Sequence, residues 1–225
     1  MERYVDQELK ELNKDILRMG ALAEEAIYKS IEALKNRDEE MAKSVIDNDT
    51  NIDKLELAVD EKCIDLIARY QPLASDLRFI TTGMKINAEL ERIADIAVDI
   101  AQRTLEIVDK PFLKPLIDIP KLTAIAQNMV KMAIDAFVKG DIELAKKVLL
   151  SDPQADQLRD AIQKELIEDY MVKDGSTAPR AVQLLLIARF LERICDHTTN
   201  IAEDVIYMVQ AEVVKHHPEK LRGDK

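Results

Sequence analysis

Acidic residues four apart on a helix project from one face, one turn above the other, and two such pairs brought together can enclose a cation. This spacing occurs four times in related settings: Asp49 with Asp53, Asp152 with Asp156, Glu91 with Asp95, and Glu192 with Asp196. Asp99 extends the third of these by one turn, and Asn200 stands at the same place beyond the fourth. A single pair carries little information. With 43 acids among 225 residues, many such pairs arise by chance on solvated faces, and Asp156 with Asp160 or Glu61 with Asp65 read that way. The chemistry of interest is that of an all-oxygen ligand set. It suits Mg, Mn, Fe or Ca better than soft ions, with Zn possible in a multinuclear cluster.

The elements that must position these acids come in two copies. Offset by 103 positions, 11 of the 28 residues from Ile31 to Ala58 recur between Ile134 and Ala161, the acids Asp49 and Asp53 among them. Offset by 101, Leu90–Ala101 (LERIADIAVDIA) matches Leu191–Ala202 (LERICDHTTNIA) at 7 of 12 positions. The change of offset places a two-residue deletion between the blocks. The spacing predicts an all-α chain of two tandem three-helix bundles related by internal duplication. The expected divisions are a first bundle over 1–109, a Pro-containing linker over 110–119, a second bundle over 120–217 and a polar tail over 218–225.

Within the first unit, Leu9, Leu12, Ile16, Met19, Ala23, Ala26 and Ile27 fall at helical spacing over residues 5–36. Asp38 suits the N-cap of a second helix, which runs to a break at Pro72. A third is expected from about Ser75 to Val108. Pro111, Pro115 and Pro120 punctuate the segment after it. The second unit reads as 120–139, 141–173 and 178–216, with breaks at Gly140 and Asp174-Gly175.

Register is the most informative property of this arrangement. If the second and third helices of each unit fold back at the break between them, Asp53 and Glu91 each lie nineteen residues from Pro72, and Asp49 and Asp95 each lie twenty-three. In the second unit Asp156 with Glu192, and Asp152 with Asp196, are likewise symmetric about Asp174. Equal path lengths bring four acids to one height across each hairpin. Between Leu90 and Ala101 only Glu91, Arg92, Asp95 and Asp99 are not apolar, so the acids form a narrow stripe on a mostly buried helix. Like charges at i,i+4 cost about 0.2–0.5 kcal/mol even in water. Partial burial adds to that cost, and a cation removes it. The competing arrangement is a groove neutralised by Arg92 and Arg193. Each directly follows its glutamate at a different helical angle, so both are expected to pair elsewhere.

Composition excludes other classes. There is no Trp, aromatics are 4% and Gly and Pro number five and seven, against strand-rich folds. A net charge of −11 disfavours nucleic-acid binding. Cys63 and Cys195 sit among apolar neighbours as buried free thiols of a reducing compartment. The N-terminus shows no signal-peptide pattern and no run reaches membrane-spanning length, so a cytoplasmic location is expected. His197 points away from the Asp196 stripe and reads as a surface or subunit contact. His216 and His217 belong to the polar tail. No Glu-x-x-His pair, phosphate loop or nucleophile elbow is present, so no catalysis is expected. A metal-independent helical interaction module, of the co-chaperone kind, is the competing reading.

The segments PLASDLR (Pro72–Arg78), LERIADIAVDIA and RFLERICDHTTNIAEDV (Arg189–Val205), with the DxxxD pairs upstream, resemble the PhoU family over about residues 4–213. The resemblance implies two similar three-helix bundles, multinuclear clusters of divalent or trivalent ions (Fe, Mn, Mg or Zn) on E(D)xxxD motifs, and homodimers. It also implies a negative regulator of phosphate uptake and phosphate-starvation signalling. Such a regulator is an adaptor between the phosphate ABC transporter and its sensor histidine kinase at the inner membrane face. Carried over, the ligands are Asp49, Asp53, Glu91, Asp95 and Asp99, then Asp152, Asp156, Glu192, Asp196 and Asn200. Two departures stand out. Asn200 replaces an acid, and Pro153 inside the second DxxxD is tolerable only near a helix start or at a kink. STAPRAV (Ser176–Val182) departs from PLASDLR, so a partner contact made by that turn is not expected twice.

Overall fold

A computed structural model describes residues 4–213. Six long helices account for nearly all of them: α1 (Tyr4–Asn36), α2 (Glu39–Tyr70), α3 (Ala74–Leu105), α4 (Asp118–Lys139), α5 (Ile142–Glu165) and α6 (Ala178–Gln210). Helices α1–α3 pack on one another, as do α4–α6, and the two sets meet through α3 against α6 and α1 against α4. The buried apolar residues of both sets form one continuous core.

Equivalent residues begin equivalent helices. The Asp38 carboxylate accepts from the Met41 N–H at 2.9 Å, and Asp141 accepts from Leu144 at 3.0 Å. Each satisfies one of the otherwise unpaired donors of a helix start. The turn just before each cap needs a left-handed residue. Gly140 supplies it at φ 61° without cost, whereas Arg37 holds it at φ 55° in the first unit. Arg37 is secured by its Nε donating to the Val108 carbonyl at 2.9 Å and by its guanidinium lying over the Phe112 ring.

Several boundaries differ from expectation for identifiable reasons. The helix expected over 141–173 is α-helical only to Glu165, then widens into a π-helical stretch, Leu166–Met171. There the Val172 N–H reaches the Ile167 carbonyl five residues back, and Leu166 stays fully buried. A period of 3.6 cannot anticipate that widening. Pro153 lies well inside α5, neither at its start nor at its end, and the helix continues through it. Helix α6 stops at Gln210, where Ala211 turns left-handed at φ 59°. Helix α4 begins at Asp118, so Pro120 sits in its first turn, where a missing N–H costs nothing. His216, His217 and the expected polar tail lie outside the described residues.

The two units are joined by a specific seam. Phe79 and Phe137 stack at 5.1 Å. Arg78 donates to the Met208 carbonyl at 3.1 Å, Lys85 pairs with Asp204 at 2.8 Å, and His197 meets Glu89 at 2.7 Å. These partners descend along α6 as they ascend along α3, so the two helices run antiparallel. His197 is therefore half-buried within the chain, on the side away from Asp196. At the α1–α4 contact, a Cβ on Gly20 would stand 2.3 Å from Ile134 Cδ1, whereas one on Gly83 would meet Leu12 and Phe137 at 3.7 and 3.9 Å. Gly20→Val should therefore destabilise the protein by about 1–3 kcal/mol through overpacking. Gly83→Ala, with ordinary contact distances, should stabilise it by about 0.5–1 kcal/mol. Urea midpoints of the two variants shifting in opposite directions would bear this out.

Candidate metal centre

The register of the first hairpin is fixed by Asn87. Its amide, buried on α3, donates to the Glu56 carbonyl at 2.9 Å and to Asp60 Oδ1 at 3.2 Å on α2. That cross-link holds α2 antiparallel to α3 and brings Asp49 and Asp53 level with Asp95 and Glu91. Asp49, Asp53 and Asp95 each offer a carboxylate oxygen within 4.8 Å of the other two. Glu91 feels the charges of Asp95 and Asp53, and Asp95 also feels Asp99. Asp49 is partly buried, while Asp53 and Asp95 are exposed. The site is thus an acidic groove open at one side.

Burial, and then the neighbouring carboxylates, raise the pKa values of Asp49, Glu91 and Asp95 above the ordinary acid range. Glu56 joins them: burial first, then Asp60 and Asp53, raise its pKa too. Among the described residues no lysine or arginine pairs with Asp49, Asp53, Glu56, Glu91, Asp95 or Asp99. Arg92 turns away to Glu89 at 3.1 Å. Asp49 Oδ1 is buried without a hydrogen-bond partner. An orphaned carboxylate oxygen in a converging all-oxygen set is what a hard cation would satisfy, so these residues fit a metal.

The second hairpin repeats the acids without repeating their surroundings. Asp152 lies within the electrostatic reach of Asp156 and Asp196, and Glu192 within that of Asp196 and Asp156. Burial, then those two aspartates, raises the Asp152 pKa to about 6. Here, however, arginines enter. Arg159 Nη2 lies 3.2 Å from Asp156 Oδ1 and 3.4 Å from Glu192 Oε1, and its Nε lies 3.3 Å from Asp160. Arg189 donates to the same Glu192 oxygen at 2.9 Å. Glu192 is 5% exposed, and its Oε2 has no partner. Among the described residues, no three of these acids converge as the first-unit triad does. Asn200, expected as a ligand, instead donates to Glu89 at 3.3 Å across the seam. Arg193 leans over the Phe190 ring. Both arginines following the glutamates thus leave the acid stripe, as their helical angle required. The cations that do enter, Arg159 and Arg189, escaped the sequence reading. A signal was available for the first of them: the 103-residue offset sets Arg159 opposite Glu56.

Both cysteines are buried and free. Burial pushes the Cys63 thiol up to about 12 and the Cys195 thiol higher still, with nearby carboxylates adding to the effect. Neither is a thiolate ligand or nucleophile at neutral pH.

The family profile described as the PhoU domain matches residues 16–104 and again 119–205. The chain belongs to the PhoU family. It is 39% identical over 218 residues to the phosphate-specific transport system accessory protein PhoU homolog of Aquifex aeolicus, covering 97% of this chain and 98% of that protein. It is 35% identical over 209 residues to the phosphate-specific transport system accessory protein PhoU of Escherichia coli, covering 93% and 86%. The crystal structure of PhoU from Pseudomonas aeruginosa superposes with a TM-score of 0.87 at 34% identity, covering 92% of this chain and 99% of that one. The two PhoU domains fall on α1–α3 and α4–α6. The family is one of regulatory accessory proteins, in agreement with the absence of a catalytic motif in the sequence.

The raised acids set a pH dependence for metal-free protein. A carboxylate whose folded pKa exceeds its unfolded value binds more protons when folded, so its ionisation opposes folding above that pKa. For Asp152 the penalty should disappear as pH falls through about 6 towards 4. In chelator, the gap in melting temperature between Asp152→Asn and the parent chain should therefore narrow from pH 7.5 to pH 5. Differential scanning fluorimetry at the two pH values would test it, and a gap independent of pH would refute the assignment.

Proposed function

We propose that the chain is an accessory protein of a phosphate-specific transport system. In this reading it restrains phosphate uptake and links the phosphate ABC transporter to its sensor histidine kinase at the inner face of the membrane. The observation that carries this reading is similarity along nearly the full length of both chains to proteins bearing that name, the Escherichia coli protein among them. In keeping with it, no described helix is long and apolar enough to cross a membrane. The protein then works in the cytoplasm, as a homodimer of chains each divided into units 1–109 and 120–217 by the segment 110–119.

The finer proposal concerns the metal. Asp49, Asp53, Glu91 and Asp95, with Asp99, hold Fe, Mn, Mg or Zn in the first unit, and the ion offsets the mutual repulsion of these carboxylates. It would act as a neutralising and cross-linking charge between α2 and α3, fixing the outer surface of that hairpin for docking. Nothing in this role needs a reaction at the ion.

Purified protein should carry metal by elemental analysis, and an Asp49→Asn, Asp95→Asn double variant should carry much less. A ligand at a hundred times its Kd adds about 2.7 kcal/mol to stability. Chelation should accordingly lower the melting temperature by roughly 5–10 °C, at about 2–4 °C per kcal/mol. Transporter and kinase in detergent should be retained by the immobilised chain and lost from the double variant. Retention that is equal with and without metal would identify a metal-independent helical interaction module instead. Failure to retain either partner would overturn the adaptor reading.

A further inference from the structure

The two acid clusters stand at corresponding places of a repeated unit, yet only the second holds a guanidinium among its acids. We infer that the Arg159 guanidinium is the resident cation of the second cluster, so that strong metal binding is confined to the first. The part of this inference that concerns ions rests on the metal reading above.

First, Arg159 stands at the position of Glu56 in the repeat, so one substitution exchanges an acid for a base at the same helical angle. Glu56 lies beside Asp53 on α2 and faces Glu91 across the first hairpin, and Arg159 lies beside Asp156 on α5 and faces Glu192 across the second. Second, the arginine is held in place. Its side chain is 20% exposed, its Nη2 lies within 3.4 Å of both Asp156 and Glu192, and its Nε is 3.3 Å from Asp160, an ion pair without a hydrogen bond. Asp160 replaces Leu57 of the first unit, so the base arrives with an added acid to anchor it. Third, the acids have responded. Asp49, Asp53 and Asp95 converge within 4.8 Å, whereas Asp156 and Glu192 are turned to the guanidinium.

A guanidinium cannot shed its proton in the accessible pH range. A divalent ion entering the second cluster would meet a fixed positive charge at the distance of its own ligands, where repulsion is strong. The second site is also poorer in acids, since Asn200 stands where Asp99 stands and is committed to Glu89. Glu192 Oε2 is buried without a partner as Asp49 Oδ1 is, but the other oxygen of the same carboxylate is already taken by Arg159 and Arg189.

The test is Mn²⁺ binding by equilibrium dialysis, with folding checked by circular dichroism. Asp53→Asn with Asp95→Asn should remove nearly all tight Mn²⁺, whereas Asp156→Asn with Asp196→Asn should leave it in place. Glu56→Arg should weaken binding at least tenfold. Arg159→Glu should add a second set of bound Mn²⁺ that survives Asp53→Asn with Asp95→Asn. Equal losses from the two double variants, or a folded Arg159→Glu that gains no Mn²⁺, would overturn the inference. If the parent chain binds no Mn²⁺ at all, the metal reading fails on its own, and the counter-ion role is decided in chelator. There Arg159→Gln should lower the melting temperature and Glu56→Gln should raise it. An unchanged or higher melting temperature for Arg159→Gln would then refute the role.

Discussion

Electrostatic crowding across the α2–α3 hairpin is the constraint around which this protein is arranged. Helices of this length are stabilised chiefly by the apolar faces they bury, and nothing in that burial requires acids at matching heights. Yet Asp49, Asp53, Glu91 and Asp95 are level because Asn87 pins α2 to α3 through the Glu56 carbonyl and Asp60. A buried amide with two partners in the opposite helix is a register device: slipping one helix by a turn would leave its donors unmet in the core. The fold thus holds together charges that would otherwise separate.

The sequence carried much of this, and the reason is geometric. Helix rise is uniform, so counting residues outward from a break yields heights. That is why Pro72 sufficed to place Asp53 opposite Glu91 before any coordinates. The first cap was equally legible, because Asp38 does its work within one turn of its own position. Two things were not legible. Side-chain destination is one: Asn200 lies one turn beyond Asp196, yet its amide crosses to Glu89 on α3, and only the packing of the two units decides that. Departure from regular winding is the other. The π-helical stretch Leu166–Met171 keeps Leu166 in the core by widening one turn, and no periodicity argument contains that option.

Arg159 is a different kind of omission, because its signal was present. Identities between repeats locate what both units need, and attention to them alone hides what only one unit has. Glu56 and Arg159 occupy one position with opposite charge, and that single mismatch bears on the chemistry of both hairpins more than most of the matches. Duplicated clusters differ at the positions that set their charge as informatively as they agree elsewhere.

The seam between the units adds a further consequence. Helices α3 and α6 each carry acids on the face toward their own hairpin partner and seam contacts on another face, about 100° round the helix in the case of Asp196 and His197. Glu89 receives His197, Asn200 and Arg92 together. Burial, the largest single effect, would raise its pKa, but the hydrogen bonds from His197 and Asn200 together with the charges of His197 and Arg92 hold it below its ordinary value. The seam thus pairs Glu89 with its own cations, whose charge also reaches Asp196 and Glu91 beside them. Since α3 and α6 are stiff and packed along their length, a rotation of either helix at its hairpin would disturb Lys85–Asp204 and Glu89–His197 at once. The shared pair of helices ties the two units together even though only the second acid cluster holds arginines.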